Sequence, residues 1–296
     1  MNPPSLMIRG NSWFMLHQAS IMSRLIQVLP YNPHWPIDFQ QEAANLIQAL
    51  GDNCITIHHI GSTSVPGLAA KPIIDIIPVV RDIAKVADKA LIALGYVPRG
   101  EMGMPFRGFY NKGEPRTHHL HIWEDGNPEI EKHLLFRDYL RAHPDYAARY
   151  ADLKLKLAAE FSQDRKNYTE AKDALIKQIM QQAGFSGLTV VQTNLPAEWN
   201  AAKRFRQKYF LADEGIADPY TWTFGHADHL HFVLYHGTEF IGYSHVQLWP
   251  DAKATIHLMI VDDKKHNNGF AAKFLAVIDR WLQSRDYGKI ERKING

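Results

Sequence analysis

The chain has 296 residues, 46% of them hydrophobic, which is enough for two domains of ordinary size with a core each. A formal charge of +2 is too balanced to recruit nucleic acid or a membrane surface by charge alone, and no apolar run reaches the ~18–20 residues that span a bilayer. The single cysteine, Cys54, excludes an intrachain disulfide and fits a reducing, cytoplasmic setting. Residues 1–21 lack the apolar core and small-residue cleavage site of a signal peptide and are expected to be a disordered leader.

In chain order, Trp35-Pro36 opens a helix whose apolar stripe is Phe39, Ala43, Leu46, Ile47 and Leu50, stopped by Gly51. A strand over Ile55–Ile60 runs into the turn Gly61-Ser62-Thr63. After Pro66-Gly67 a second apolar strand, Ile73–Val80, carries Asp75 in its middle. An aspartate in IIDIIPVV is costly to bury unless it is paired, hydrogen-bonded or metal-bound. A Gly-Ser turn that exposes backbone N–H groups suits a phosphate. Together they point to a nucleotide and a divalent cation; the plainer alternative is a buried Asp capping a turn.

A helix over Asp82–Leu94 ends at Gly95, and strands follow over Phe106–Lys112 and Thr117–Trp123. In THHLHIWE (117–124) the period of two puts His119 and His121 on one face, where two imidazoles suit a metal or a phosphate, although His-x-His pairs are common on half-exposed strands. Helices are expected over Pro128–Ala142, Asp145–Phe161 and Tyr168–Ala183. On the first of these, His133, Arg137 and Arg141 recur every four residues as a basic stripe, either a solvated face or a source of phosphate contacts. Lys71 and Arg116 are further cations beside the motifs. Gly184-Phe185-Ser186-Gly187 reads as a linker, giving domains over 22–184 and 188–296.

The blocks VLPYNPHWP (28–36), HIGSTSVPGLAAKPIIDI (59–76), PRTHHLHIW (115–123), HLLFRDYLRAHP (133–144) and YTEAK (168–172) resemble the GrpB-like family over about residues 25–183. The resemblance implies a nucleotidyltransferase-like mixed sheet with helices. In it Gly61 and Ser62 match the phosphate-binding turn, and Asp75 matches the first metal-binding acid. Ile77 stands where the second acid is usual. One Asp with two His is a poor Mg²⁺ site and favours a softer metal on Asp75, His119 and His121. Thr63, Lys71, Arg116 and Arg137 complete the expected nucleotide or phosphate contacts.

Past the linker, a helix runs from Asn194-Leu195-Pro196 to Phe210, and strands over His229–Tyr235, Glu239–Trp249 and Ala254–Val261 form an antiparallel meander. The loop DDKKHNNG leads into an amphipathic helix bearing Phe270, Phe274, Leu275, Ile278 and Leu282; exposed N–H groups at such a helix start hold anions. This order resembles the GNAT acyltransferase superfamily. The resemblance implies that His266, Asn267, Asn268, Gly269, Phe270 and Ala271 hold the pyrophosphate of acetyl-CoA, with His in place of the usual Arg or Gln. The fold is expected to be incomplete, since GKIERKING (288–296) falls about where the family's next strand would begin. His257 on the third strand and Asp262 or Asp263 at its end are the candidate bases, while His226, Asp228, His229 and His231 read as structural or incidental. The class is thus α/β (α+β), with three functional readings. They are an acetyl-CoA-dependent amine acyltransferase whose N-terminal domain binds a nucleotide-like or phosphate ligand or the acceptor, a metal-dependent nucleotidyltransferase, and a non-catalytic binding or folding-accessory protein. The expected partner is a small-molecule substrate, with a homo-oligomer left open.

Overall fold

The computed structural model describes residues 25–210, 218, 221–262 and 269–293, with Tyr209 and Phe210 as backbone only. The leader, Asp263 and His266–Asn268 lie outside the described residues. Two five-stranded mixed sheets carry the helices, an α+β architecture.

The first sheet has the order β1-β2-β5-β4-β3, from β1 (Cys54–Ile60), β2 (Ile74–Val80), β3 (Tyr96–Pro98), β4 (Gly108–Lys112) and β5 (His118–Glu124). Only β2 and β5 run parallel; the other pairs are antiparallel. The inner strand β2 is β-branched and buried on both faces, as its sequence demands. Its ladder to β5 skips Ile77 and Pro78, because proline has no N–H to give. One face packs Ile74, Ile76, Leu120 and Ile122 against Leu46 and Leu50 of α1 (Trp35–Leu50) and Leu91 of α2 (Asp88–Ala93). Each such fully buried side chain contributes about 1.5–3 kcal/mol. The other face packs under α3 (Pro128–Ala142), α4 (Pro144–Glu160), α5 (Arg165–Glu170) and α6 (Asp173–Gln182).

Several expected elements differ. Asp75 is the second residue of its strand rather than its middle. The Asp82–Leu94 helix is a 3₁₀ turn, Ile83–Lys85, followed by the short α2. The Tyr168–Ala183 helix is two helices, and Ile47 of the α1 stripe is 53% exposed while Glu42 is buried against Lys112 at 2.8 Å.

The second sheet has the order β10-β9-β8-β7-β6, from β6 (Leu188–Gln192), β7 (His229–His236), β8 (Glu239–Trp249), β9 (Lys253–Val261) and β10 (Lys289–Arg292). The meander is antiparallel, and β10 lies parallel to β9 after the crossover helix α8 (Phe270–Gln283). The sequence 288–296 was expected to lie about where the next strand begins, and Lys289–Arg292 is a strand. Helix α8 buries Phe274, Ile278 and Leu282 on one face of this sheet, and α7 (Pro196–Phe210) buries Ala202 and Phe205 on the other.

The two sheets are joined by more than the linker. Glu124, at the end of β5, takes two hydrogen bonds from Arg280 of α8, at 2.8 and 2.9 Å. Glu101 accepts from the Trp281 indole at 2.8 Å, and Gly103 O accepts from Gln192 N at 2.8 Å.

Candidate functional site

Strand β1 ends at Ile60, and Gly61 turns the chain with φ +68°. A Cβ at Gly61 would stand 2.4 Å from Asp75 Oδ2, so glycine alone lets the carboxylate pack against the turn. The turn is held from behind. His59 Nε2 lies 3.0 Å from Thr63 Oγ1, whose hydroxyl donates to Ile73 O, and Ser64 Oγ donates to Gly61 O at 2.6 Å. Helix α3 adds two arginines: Arg137 donates to His59 O at 3.1 Å, and Arg141 forks onto Ser64 O at 2.7 and 3.1 Å.

Asp75 faces His119 in the parallel β2–β5 register, and His121 follows on the same side of β5. Asp75 Oδ1 is 3.1 Å from His119 Nδ1 and 3.8 Å from His121 Nε2. These spacings bracket the separation of two ligands about 2.0–2.2 Å from one tetrahedral ion, so the three side chains fit a zinc-like metal. Their second nitrogens, His119 Nε2 and His121 Nδ1, are buried without a hydrogen-bond partner among the described residues. Burial would raise the Asp75 carboxyl, but the hydrogen bond from His119 and the nearby His121 imidazole outweigh it and hold it below the usual carboxylate range. Burial pushes His121 down against the pull of Asp75, keeping it a neutral, ligand-competent imidazole.

Beside this triad, a cavity of about 190 Å³ is lined by Gly61, Ser62, Thr63, Asp75 and His119 together with three lysines, Lys71, Lys154 and Lys172. Each ammonium lies over a tyrosine ring: Lys154 over Tyr150 at 4.6 Å, Lys172 over Tyr168 at 4.5 Å, and Lys71 over Tyr168 at 3.9 Å. Lys154 also donates to Ser62 Oγ at 2.9 Å and to Ala69 O. Burial and the crowding of like charges lower Lys71 to about 8 and Lys154 to about 7. Three cations around one carboxylate make a pocket short of negative charge.

The structure therefore gathers Gly61, Ser62, Thr63, Lys71, Asp75, His119 and His121. It leaves out two expected phosphate contacts. Arg137 is committed to His59 O and to Asp138 at 2.7 Å, and Arg116 is an exposed residue of the turn between β4 and β5. Lys154 and Lys172 were not anticipated. Their signal is a Tyr-x-x-x-Lys pair, Tyr150/Lys154 and Tyr168/Lys172, which puts each lysine one turn beyond a buried tyrosine. Ile77 lies fully buried against Ile60, Val79 and Trp123, so its position is core rather than site.

In the second sheet, His257 sits where the β8–β9 register shifts, between Ile256 opposite Val246 and Leu258 opposite His245. Its Nε2 is 2.7 Å from Gln247 Oε1, which sets the proton on Nε2 and the lone pair on Nδ1. Gly269 starts α8 with a left-handed φ of +68°, Phe270 packs on His236 at 5.0 Å, and Ala271 joins the core under the sheet. His229 and His231 are buried: His229 Nδ1 lies 2.8 Å from His245 Nε2, and His231 stacks on His245 at 4.7 Å.

The GrpB protein family model matches residues 25–182, the stretch that builds the turn, the triad and the lysine pocket. The chain belongs to the GrpB family. It is 48% identical over 157 residues to the UPF0157 protein YqkA of Bacillus subtilis (strain 168), covering 52% of this chain and 46% of YqkA, so it spans about half the length of that relative. The solved structure of the conserved protein GrpB from Enterococcus faecalis is 44% identical, with a TM-score of 0.51 over 53% of this chain and 96% of that one. Beyond the GrpB-family region, the chain is similar at 18% identity to a putative N-acetyltransferase from Lactobacillus plantarum, with a TM-score of 0.31 over 34% of this chain and 70% of that one.

Proposed function

We propose that the GrpB-family unit, up to a boundary at 184–188, binds a phosphorylated ligand of nucleotide type together with a divalent transition metal. The observation that carries this reading is the meeting of Asp75, His119 and His121 beside a glycine turn ringed by Lys71, Lys154 and Lys172. The triad would hold the metal, which supplies a Lewis acid for a phosphoryl oxygen. The turn and the lysines take the remaining anionic oxygens, with the ammoniums as point charges that need no fixed fork. The test is isothermal titration of Zn²⁺, Mn²⁺ and ATP into the full chain and its Asp75→Asn variant. Metal binding lost in the variant, with ATP binding strengthened by metal in the wild type, supports the reading. A well-folded wild-type chain that binds neither would sink it in favour of a non-catalytic accessory role.

A second reading concerns the other sheet, which we propose binds acetyl-CoA and transfers its acyl group to an amine. It is favoured by the β9–α8–β10 crossover, which sets the N-terminus of α8 beyond the end of β9, where a helix start holds a pyrophosphate. His257, with its Nδ1 lone pair, is the candidate base. Gly269→Glu should abolish acetyl-CoA binding in titration calorimetry and leave ATP binding intact; wild-type binding unaffected by the change would refute the assignment.

A further inference from the structure

A cavity of about 820 Å³ lies between the two sheets, outside both sites described above. Its walls come from the loop before β4, from α3 and α6, and from β6, β7 and the start of α7. Cavities of this size at the junction of two units are common places for small ligands. The apolar part is built by Ile176 and Val191 with three methionines, Met102, Met104 and Met180, whose unbranched thioethers adapt to ligands of varied shape.

The charged groups on the wall are three cations and two acids. Arg107 donates only to the carbonyl oxygens of Glu101 and Met102 and lies over the Phe109 ring, so among the described residues no carboxylate is bonded to it. Lys132 is paired with Glu129 at 2.9 Å, and Lys177 is exposed at the rim. Of the acids, Glu198 spends one oxygen capping α7, accepting from Asn194 N at 2.8 Å and Leu195 N at 3.0 Å. Burial raises both Glu198 and Asp173, while Lys177 pulls Asp173 the other way. The cavity is thus apolar in its body, with three cations to two acids on its wall.

We propose that this inter-sheet cavity is a binding site for a small amphipathic organic anion, with its apolar body on the methionines and its monoanionic head toward Arg107 and Lys177. The proposal does not depend on nucleotide or acetyl-CoA binding. It is tested on the full chain by fluorescence titration with 8-anilinonaphthalene-1-sulfonate, followed by displacement with decanoate. Two variants at exposed wall positions probe it, Lys177→Glu for charge and Ala197→Trp for bulk, with urea unfolding midpoints confirming that both fold. Expected is one saturable site, displaced by decanoate, with affinity about tenfold weaker in each variant, equal to about 1.4 kcal/mol. Absence of saturable binding, failure of decanoate to compete, or equal affinity in wild type and both folded variants would overturn it.

Discussion

Acidification from pH 7 to 5 should weaken the second sheet through His231 and His245, and the size of the loss follows from their burial. Both rings are at most 1% exposed, in a stack bordered by His229, His257, Arg206 and Tyr243, with Asp218 the nearby acid. Burial, reinforced by the neighbouring histidines and Arg206, lowers His231 to about 4 and His245 to about 2. An unfolded histidine takes its proton near pH 6.5. The folded pKa values lie below the unfolded one, so between them the unfolded chain binds more protons. Stability is therefore fully present above the unfolded value and is lost as pH falls through the window from about 6.5 toward 4. Integrating the proton difference gives about 1 kcal/mol per histidine at pH 6 and about 2 kcal/mol at pH 5. The result at pH 5 hardly depends on how far below 5 the folded value lies. Urea unfolding followed by tryptophan fluorescence at pH 7, 6 and 5 measures it, with His245→Phe as the control that keeps a stacked ring. The variant should lose about 2 kcal/mol less than wild type between pH 7 and 5. Equal losses in the two proteins would show that His245 is charged in the folded state and that the burial argument is wrong.

Four further outcomes follow from particular contacts. Gly61→Ala, with its Cβ against Asp75 Oδ2 and a left-handed φ, should lower stability by about 1–3 kcal/mol and weaken metal binding, read by urea unfolding and calorimetry. Affinity for ATP should fall as pH rises from 6.5 to 8.5, because Lys71 and Lys154 lose their protons near 8 and 7; a flat profile in calorimetry would remove the lysines from the site. Arg280→Ala breaks a half-exposed pair in which one guanidinium nitrogen reaches both Glu124 oxygens, and should cost no more than about 1 kcal/mol in thermal unfolding. Gly103→Ala, at φ +82° and 3.1 Å from Gln192 O, should cost about 1–2 kcal/mol and loosen the contact between the sheets, seen as faster amide exchange at Gln192.

The fold was legible where the pattern is strong and local. Alternation marks β5, the β-branched run marks β2, and proline and histidine-glycine punctuation brackets α3 and the β7–β8 hairpin. What escaped was short or set by distant partners. Tyr96–Pro98, Leu188–Gln192 and Lys289–Arg292 span three to five residues at sheet edges, too few for a period to register. The Asp82–Leu94 segment has helical composition, yet Asn53 donates to Asp82 O and accepts from Asp82 N, holding its start against β1 as a 3₁₀ turn.

The candidate site divides along the same line. Gly61, Asp75 and the two histidines could be read because adjacent strands convert a period of two into one shared face. Lys154 and Lys172 could not, since a lysine on a charged helix is ordinarily a solvated one. Only the packing of α4 and of the turn between α5 and α6 beside Gly61 and Ser62 makes them line a cavity. That packing also gives Ile77 its meaning. With Asp75 it lies on the helix-covered face of β2, but two residues deeper, where Trp123 and Ile60 close over it. A carboxylate there would stand in the apolar cluster of Ile60, Val79 and Trp123 rather than on the cavity wall. The charge that a second acid would contribute is therefore absent, and two imidazoles stand beside Asp75 instead. The donor set that results is one oxygen and two nitrogens, and that composition makes a transition metal, rather than Mg²⁺, the ion to titrate first.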